Sequence, residues 1–367
     1  MPQYIYQKKD WPAFKWDTAR LSPMLAELRF VQGKIIGQMN AMGFSVRSDA
    51  VLKTLTQDVL KSTEIEGEIL NPEQVRSSIA RRLGLDAAGL IPADRNVEGV
   101  VEMMLDATQN YTVPLTKDRL FGWQSSLFPS GRSGMYQIMV GKWRDNEKGP
   151  MQVVSGPMGR ETVHFEAPDA SMLDTEMQVF LDWFNTETTI DPIIKSGIAH
   201  LWFVTLHPFD DGNGRIARAI ADMQLARAED SPERFYSMSA QIRQQRSEYY
   251  SILEKTQKGT LDITEWLKWY LACMRDAMKH TEETSAAVVK RVQFWDKHAE
   301  TPMSDRQRRM INRMQEDFVG KLTSSKWAKM MKCSQDTASR DIQDLVTKGI
   351  LEKEAAGGRS TNYRLII

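Results

Sequence analysis

One run of this 367-residue chain concentrates its chemistry: His207-Pro208-Phe209-Asp210-Asp211-Gly212-Asn213-Gly214-Arg215-Ile216-Ala217-Arg218. His207 titrates near neutral pH and can take a proton from an attacking hydroxyl. Asp211 can hold Mg²⁺, a hard cation that prefers carboxylates combined with phosphates. Gly212 and Gly214 flank Asn213 and let the backbone approach an anion closely. A helix starting there adds unpaired N–H groups and positive dipole. Arg215 and Arg218 lie three apart, so on a helix both lean towards the same end of that anion. A base, a metal carboxylate, a phosphate cradle and two charge clamps are the parts that phosphoryl or nucleotidyl transfer uses. Taken singly the parts say little. A Gly-x-Gly is ordinarily a turn, and His207 with Asp211 is compatible with a metal pair, although no His-Glu-x-x-His accompanies them.

Two apolar helices must hold this run. One carries Ile194, Ile198, Trp202, Phe203 and Leu206 before it, and the other carries Ile220, Met223 and Leu225 after it. Upstream, Ser22-Pro23 reads as a cap and first turn. Leu25, Leu28, Val31, Ile35, Met39 and Met42 then recur at spacings of three and four, and Gly43 closes that helix. A second helix begins near Asp49 and carries Leu52, Leu55, Val59 and Leu60 towards Ser62 and Glu66. A third opens at Asn71-Pro72 and runs to about Gly84. Several more helices are expected between Asn96 and His280. They are interrupted once, by a β-hairpin from Gln152 to Phe165 around Gly156-Pro157 and Gly159. The charged stretch Thr284 to Asp305 marks a boundary. Beyond it, helices at Ser324–Met331 and Gln335–Lys348 flank the turn Lys332-Cys333-Ser334. Strands at Ile350–Lys353 and Asn362–Ile366 then pair around Ala355-Ala356-Gly357-Gly358. That order is the layout of a winged helix-turn-helix.

The twelve residues match the Fic signature His-Pro-Phe-x-(Asp/Glu)-Gly-Asn-Gly-Arg-x-x-Arg at every specified position, and the chain resembles the Fic family. Gly141-Lys142-Trp143-Arg144, His200, Tyr249-Tyr250 and Asp262-Ile263-Thr264-Glu265-Trp266 also look like Fic sequence. The resemblance implies a mainly α fold: a Fic helical bundle with a β-hairpin flap, an N-terminal helical extension and a C-terminal winged helix. The boundaries expected are residues 1–94, 95–290 and 300–367. It implies a protein adenylyltransferase that moves AMP from ATP to a Ser, Thr or Tyr hydroxyl of a target protein. His207 would be the base and Asp211 the Mg²⁺ ligand. Gly212, Asn213 and Gly214 would cradle the phosphates, with Asn213 near the α-phosphate, and Arg215 and Arg218 would grip the outer two. Relatives that act as kinases depart from the signature at the second glycine and final arginine, and both are intact here. Ser62-Thr63-Glu64-Ile65-Glu66-Gly67 resembles the family's inhibitory motif (Ser/Thr)-x-x-x-Glu-(Gly/Asn). It implies that Ser62, Glu66 and Gly67 form a built-in brake in which Glu66 pairs with Arg218. Some relatives use this glutamate to remove AMP, so the reverse reaction is open. Val153, Val154, Thr162, Val163, His164 and Phe165 would form the flap that docks an extended target segment.

Composition narrows the partners. Lys plus Arg equals Asp plus Glu at 48 each, so any basic surface must be local. The two cysteines, Cys273 and Cys333, supply neither a disulfide framework nor a metal cluster. Met1 to Trp16 lacks the apolar core of a signal peptide, and no membrane span is legible, so a cytoplasmic protein is expected. In the C-terminal unit Arg340, Lys348, Lys353, Arg359 and Arg364 can contact phosphates. Asp336, Asp341, Asp344, Glu352 and Glu354 are interleaved with them. DNA and a docking protein are therefore both open as partners, and a homodimer is compatible. The alternative to the enzyme is a DNA-binding transcriptional regulator whose Fic domain senses a nucleotide.

Overall fold

The computed structural model describes residues 4–41, 44–85, 91–147, 149–156, 159–315, 318, 320–354 and 361–366. Two compact units divide the chain, Met1–Thr281 and Glu282–Ile367. The first opens with α1 (Thr18–Asn40), α2 (Phe44–Ile65), α3 (Pro72–Arg82), α4 (Arg95–Gln109) and α5 (Lys117–Leu127). Two antiparallel hairpins follow, β1 (Arg132–Ser133) with β2 (Tyr136–Gln137) and β3 (Gln152–Ser155) with β4 (Thr162–Glu166). Then come α6 (Leu173–Thr186), α7 (Pro192–Leu206), α8 (Asn213–Glu229), α9 (Met238–Gln244) and α10 (Arg246–Gln257). The long α11 (Thr264–Lys297) crosses the division between the units.

The apolar run before His207 becomes the central helix. Every residue of α7 from Ile193 to Leu206 is buried, and the helix packs along α8. Each large apolar side chain so buried contributes about 1.5–3 kcal/mol relative to exposure, so both helices flanking the chemistry are firmly held. Leu28 and Ile35 of α1 and Leu52, Leu55 and Val59 of α2 belong to the same core as Ile198, Phe203 and Ile216. The N-terminal helices are therefore built into the bundle. The lines drawn from sequence at 94/95 and 290/300 differ from the one division between compact units, at 281/282.

Several expected boundaries move. α1 begins one turn before Ser22-Pro23, because Asp17 caps it by accepting from the Arg20 N–H at 3.1 Å and Pro23 sits inside the helix. α2 starts at Phe44, ahead of the expected Asp49, and its last helical residue is Ile65, one before Glu66. Met42, Gly43, Pro157 and the 355–358 turn lie outside the described residues, as does Arg359. The β1–β2 hairpin was not expected. Its strands are too short to show alternation, and only Gly131 and Gly134, both at positive φ, punctuate it.

The second unit has its own core, in which Trp327 is fully buried among Met310, Ile311, Leu322, Ile342, Leu345 and Ile350. It contains α12 (Asp305–Gln315), α13 (Ser324–Met331), α14 (Gln335–Thr347), β5 (Leu351–Lys353) and β6 (Tyr363–Leu365). The two strands pair antiparallel, with Leu351 opposite Leu365. Among the described residues no helix is long and apolar enough to cross a membrane.

Candidate active site

His207 ends α7 in the left-handed region, at φ 49° and ψ 55°. A β-carbon disfavours that conformation, although histidine tolerates it better than most residues. The surroundings hold it there. The Arg144 Nε donates to the His207 carbonyl at 2.8 Å, the Arg144 backbone N–H donates to the Pro208 carbonyl at 2.9 Å, and Arg144 Nη2 donates to the Pro168 carbonyl at 2.5 Å. The His207 Nδ1 lies 3.3 Å from the Val204 carbonyl. An N–H at Nδ1 satisfies that carbonyl and leaves the lone pair on Nε2. Burial pushes the imidazole down to about 4, and Arg144 adds to the shift. The Val204 carbonyl, Asp211 and Glu66 oppose it. The ring is therefore neutral at physiological pH.

The loop after His207 braces itself. Asn213 was expected beside a phosphate, yet its side chain is engaged within the loop. The Phe209 N–H donates to Asn213 Oδ1 at 3.0 Å, and Asn213 Nδ2 donates to the Phe209 carbonyl at 2.7 Å. What Asn213 can offer an anion is its backbone N–H, at the first turn of α8. Gly212 precedes it at φ 91°, where a β-carbon would also meet Phe128 at 3.0 Å and Leu127 at 3.1 Å. Asp211 is half-exposed. One carboxylate oxygen accepts from the Ser133 hydroxyl of β1, and the other accepts from the Gly212 N–H at 2.5 Å.

Both arginines of the run are buried and both hold carboxylates from the segment that ends α2. Arg218 Nε donates to Ser62 Oγ at 2.8 Å, and its Nη2 donates to the Ser62 carbonyl at 2.8 Å and to Glu66 Oε1 at 2.7 Å. A β-carbon on Gly214 would stand 2.3 Å from that same Glu66 oxygen. The Glu66 carboxylate thus lies against the first turn of α8, where a helix attracts an anion. Arg215 Nη1 donates to Glu68 Oε2 at 3.0 Å. The turn itself is pinned by Arg246 Nε, which donates to the Ile65 carbonyl at 2.8 Å. One helical turn away from Ser62 and Arg218, Asp58 of α2 is pushed up by burial and by Asp222 of α8.

The β3–β4 hairpin borders a cavity of about 740 Å³ whose walls include His207, Glu66, Gly214, Val153, Tyr250 and Gln257. Val153 pairs with Phe165, whereas Val154 pairs with Val163 and Ser155 with Thr162, so His164 is the extra residue of a bulge. The bulge aims His164 at α10, where its Nδ1 lies 2.8 Å from Glu254 Oε2 while Nε2 lies 2.6 Å from Ser155 Oγ. Phe165 is buried against Tyr4, and Val154, Thr162 and Val163 are exposed.

The structure places Ser62 and Glu66 on Arg218, and His207, Glu66, Gly214, Val153, Val154, His164 and Phe165 around one cavity, whereas Thr162 and Val163 are exposed on the hairpin away from its walls. It adds others to which sequence reading gave no role. Arg144 was noticed only as part of a familiar-looking string, and Ser133 and Arg246 carried no pattern. Glu68 was visible as the third acid of Glu64-Ile65-Glu66-Gly67-Glu68.

A buried helix thus delivers a histidine to a loop within a helical bundle, and the N-terminus of the next helix receives the Glu66 carboxylate. The likeness of the fold is to a Fic family protein from Desulfovibrio desulfuricans G20, with a TM-score of 0.56 and 20% identity over 95% of this chain and 97% of that one. Residues 114–225 match the Fic/DOC family. Residues 4–85 match a family described only as a domain of unknown function, DUF4172. The protein adenylyltransferase Fic of Drosophila willistoni is 34% identical over 108 residues, 29% of this chain and 20% of that one. The Drosophila melanogaster protein of the same name is 26% identical over 228 residues, 59% of this chain and 40% of that one. The chain thus spans less than half the length of these relatives.

Proposed function

We propose that this protein transfers the AMP part of ATP to a hydroxyl of a target protein, and that it is held inactive by its own Glu66. The observation that carries the reading is what Arg218 holds. A carboxylate lies against Gly214 at the N-terminus of α8, as an anion stand-in on a surface suited to phosphate. In the proposed reaction the target hydroxyl gives its proton to His207 Nε2 and its oxygen attacks the α-phosphorus. The bond from that phosphorus to the bridging oxygen breaks, and pyrophosphate leaves with the electron pair. Arg215 and Arg218 neutralise the leaving group, and the first N–H groups of α8 face the phosphates. The nucleoside enters the cavity beside Tyr250 and Gln257, and the target lies along the exposed β3–β4 hairpin.

Asp211 fits Mg²⁺. Among the described residues no group of three or more acidic, histidine or cysteine side chains could enclose a metal, and Asp211 offers a half-exposed carboxylate beside the anion site. One carboxylate completed by substrate phosphates is the way this hard cation is usually held. Bound there, it would neutralise phosphate charge. Ser133 and the Gly212 N–H orient the carboxylate for it. Glu66 can also orient a water to attack the phosphorus of a modified target, so hydrolysis that restores the target hydroxyl and releases AMP is a second chemistry open to this site.

The test uses ATP labelled on the α- or the γ-phosphate, with lysate as acceptor. The Glu66→Gly protein is expected to fix α-label on protein and no γ-label. Transfer of γ-label makes the protein a kinase. No transfer, joined to salt-dependent DNA binding, favours the regulator. One feature supports that second reading for the C-terminal unit, which we read as a winged helix. Asp341 pairs with Arg306 at 2.5 and 2.9 Å, and Asp344 accepts from Gln307 and Lys348. Asp341 is thereby buried, and the exposed residues of α14 include Gln335, Ser339, Arg340 and Gln343, types that read base edges and phosphates, beside the exposed Asp336 and the half-exposed Asp344.

Arg144 is a positioning residue in this scheme, since it grips the backbone on either side of the His207–Pro208 peptide. Arg144→Met is expected to lower kcat about tenfold with little change in ATP affinity, a geometric loss of the kind a small misplacement causes. Loss of the nearby cation also lets the imidazole titrate higher, so the acid limb of the rate profile moves up in pH. An unmoved limb would leave Arg144 a purely structural role.

A further inference from the structure

The brake expected from sequence has one carboxylate, and the structure shows two. Glu66 and Glu68 stand on either side of Gly67 and each holds a different arginine, Glu66 on Arg218 at 2.7 Å and Glu68 on Arg215 at 3.0 Å. Both arginine side chains are only 2% exposed, whereas Glu68 is 50% exposed. The segment is fixed by local bonds, since the Glu66 and Glu68 N–H groups both donate to the Thr63 carbonyl, at 3.1 and 3.3 Å. Among the described residues no other carboxylate comes so close to Arg215. Asp211 lies 3.7 Å from its Nη2, Phe128 lies under the guanidinium at 5.0 Å, and its buried Nε finds no hydrogen-bond partner among the described residues.

We infer that Glu68 is a second clamp, which sets how tightly the nucleotide binds by competing with its outer phosphates for Arg215. This rests on the nucleotide reading of the site. Glu66 alone, on Arg218, leaves the first arginine open to a phosphate and acts mainly on the pose of the bound nucleotide. With Glu68 also engaged, a polyphosphate must displace the Glu68 carboxylate to reach Arg215, whether or not Glu66 stays on Arg218. It can do so because a phosphate group offers more acceptor oxygens to Arg215 than the single oxygen Glu68 presents, and the orphaned Nε can gain a partner. The two clamps therefore divide the labour, with Glu68 acting on affinity and Glu66 on turnover.

The experiment is calorimetric titration of ATP, ADP and AMP into the full chain and its Glu68→Gln variant, repeated on the Glu66→Gly background. Glutamine keeps the size of the side chain and removes its charge, at a half-exposed position where folding is little affected. The Kd for ATP and ADP is expected to tighten about three- to fivefold, the scale of a partly solvated ion pair. The Kd for AMP, which has no outer phosphate, stays the same. The gain recurs on the Glu66→Gly background, because the two pairs share no atom. An equal gain for AMP would show general loosening and overturn the inference, and so would a gain that vanishes without Glu66. ATP binding that ignores Glu68 sinks this inference alone. Failure of every variant to bind any of the three nucleotides sinks the nucleotide reading itself.

Discussion

Glu66→Gly is expected to raise the initial rate of α-label transfer about 10- to 100-fold over the unmodified protein. Its carboxylate makes a charge-assisted bond to Arg218 at 2.7 Å, and bonds of that kind contribute about 1.5–3 kcal/mol. With 1.36 kcal/mol equal to a factor of ten in rate, one to two decades follow. The increase needs an arginine that is free but still oriented. Ser62 supplies the orientation, since its hydroxyl and carbonyl keep two bonds to Arg218 after the glutamate is gone. Glycine also opens the first turn of α8, where the carboxylate now presses on Gly214. Losing the pair also leaves a buried cation less well compensated, so the variant should melt a few degrees lower and regain part of that on adding ATP. Glu66→Gln, which keeps a hydrogen-bond acceptor and loses the charge, is expected to fall between the two proteins in rate. A folded Glu66→Gly protein with unchanged transfer would remove the brake from the scheme.

Much of this site could be read before the structure because its parts are close in sequence and each has a distinct chemistry. His207 through Arg218 lie within one loop and the turns beside it, so their order alone places them together. Glu66 lies far away in the chain, and its link to Arg218 came only through family resemblance. No spacing rule joins α2 to α8. Arg144 was harder still. Its task is to donate to backbone carbonyls, which leave no mark in sequence, and a Trp-Arg pair in a loop looks like any other. The side-chain role of Asn213 was hidden for a related reason. An asparagine between glycines suggests a ligand contact, but its amide matches the backbone of Phe209 on both donor and acceptor sides, and closing the loop takes both. The start of α1 shifted because helix pattern is strongest where side chains are buried, and Thr18, Ala19 and Arg20 of its first turn are exposed.

His207→Ala on the Glu66→Gly background should cut α-label transfer by 10²- to 10⁴-fold, the range for losing a positioned general base. ATP binding should change little, because no phosphate-facing group is removed. The fall therefore belongs in kcat, with KM nearly unmoved, and a loss confined to KM would mean that the ring binds substrate and does no proton transfer. The pH profile of the active Glu66→Gly protein is a sharper test. Burial holds the imidazole at about 4 in the clamped protein, with Glu66 working against that shift. Removing the Glu66 charge lets the value drop further in the free enzyme. A group that must be neutral to act loses activity only as pH falls through its own pKa. The acid limb of kcat/KM is therefore expected below the ordinary histidine value of about 6.5. The limb of kcat should lie higher, because bound phosphates add negative charge beside the ring and favour the imidazolium. That order also gives the base its strength when it is needed. The partly buried ring meets the hydroxyl unprotonated, and the charge of the nucleotide stabilises the proton it takes. An acid limb of kcat/KM near or above 6.5 would mean that the ring is solvated in the free enzyme, against the packing of α7 and Arg144 around it.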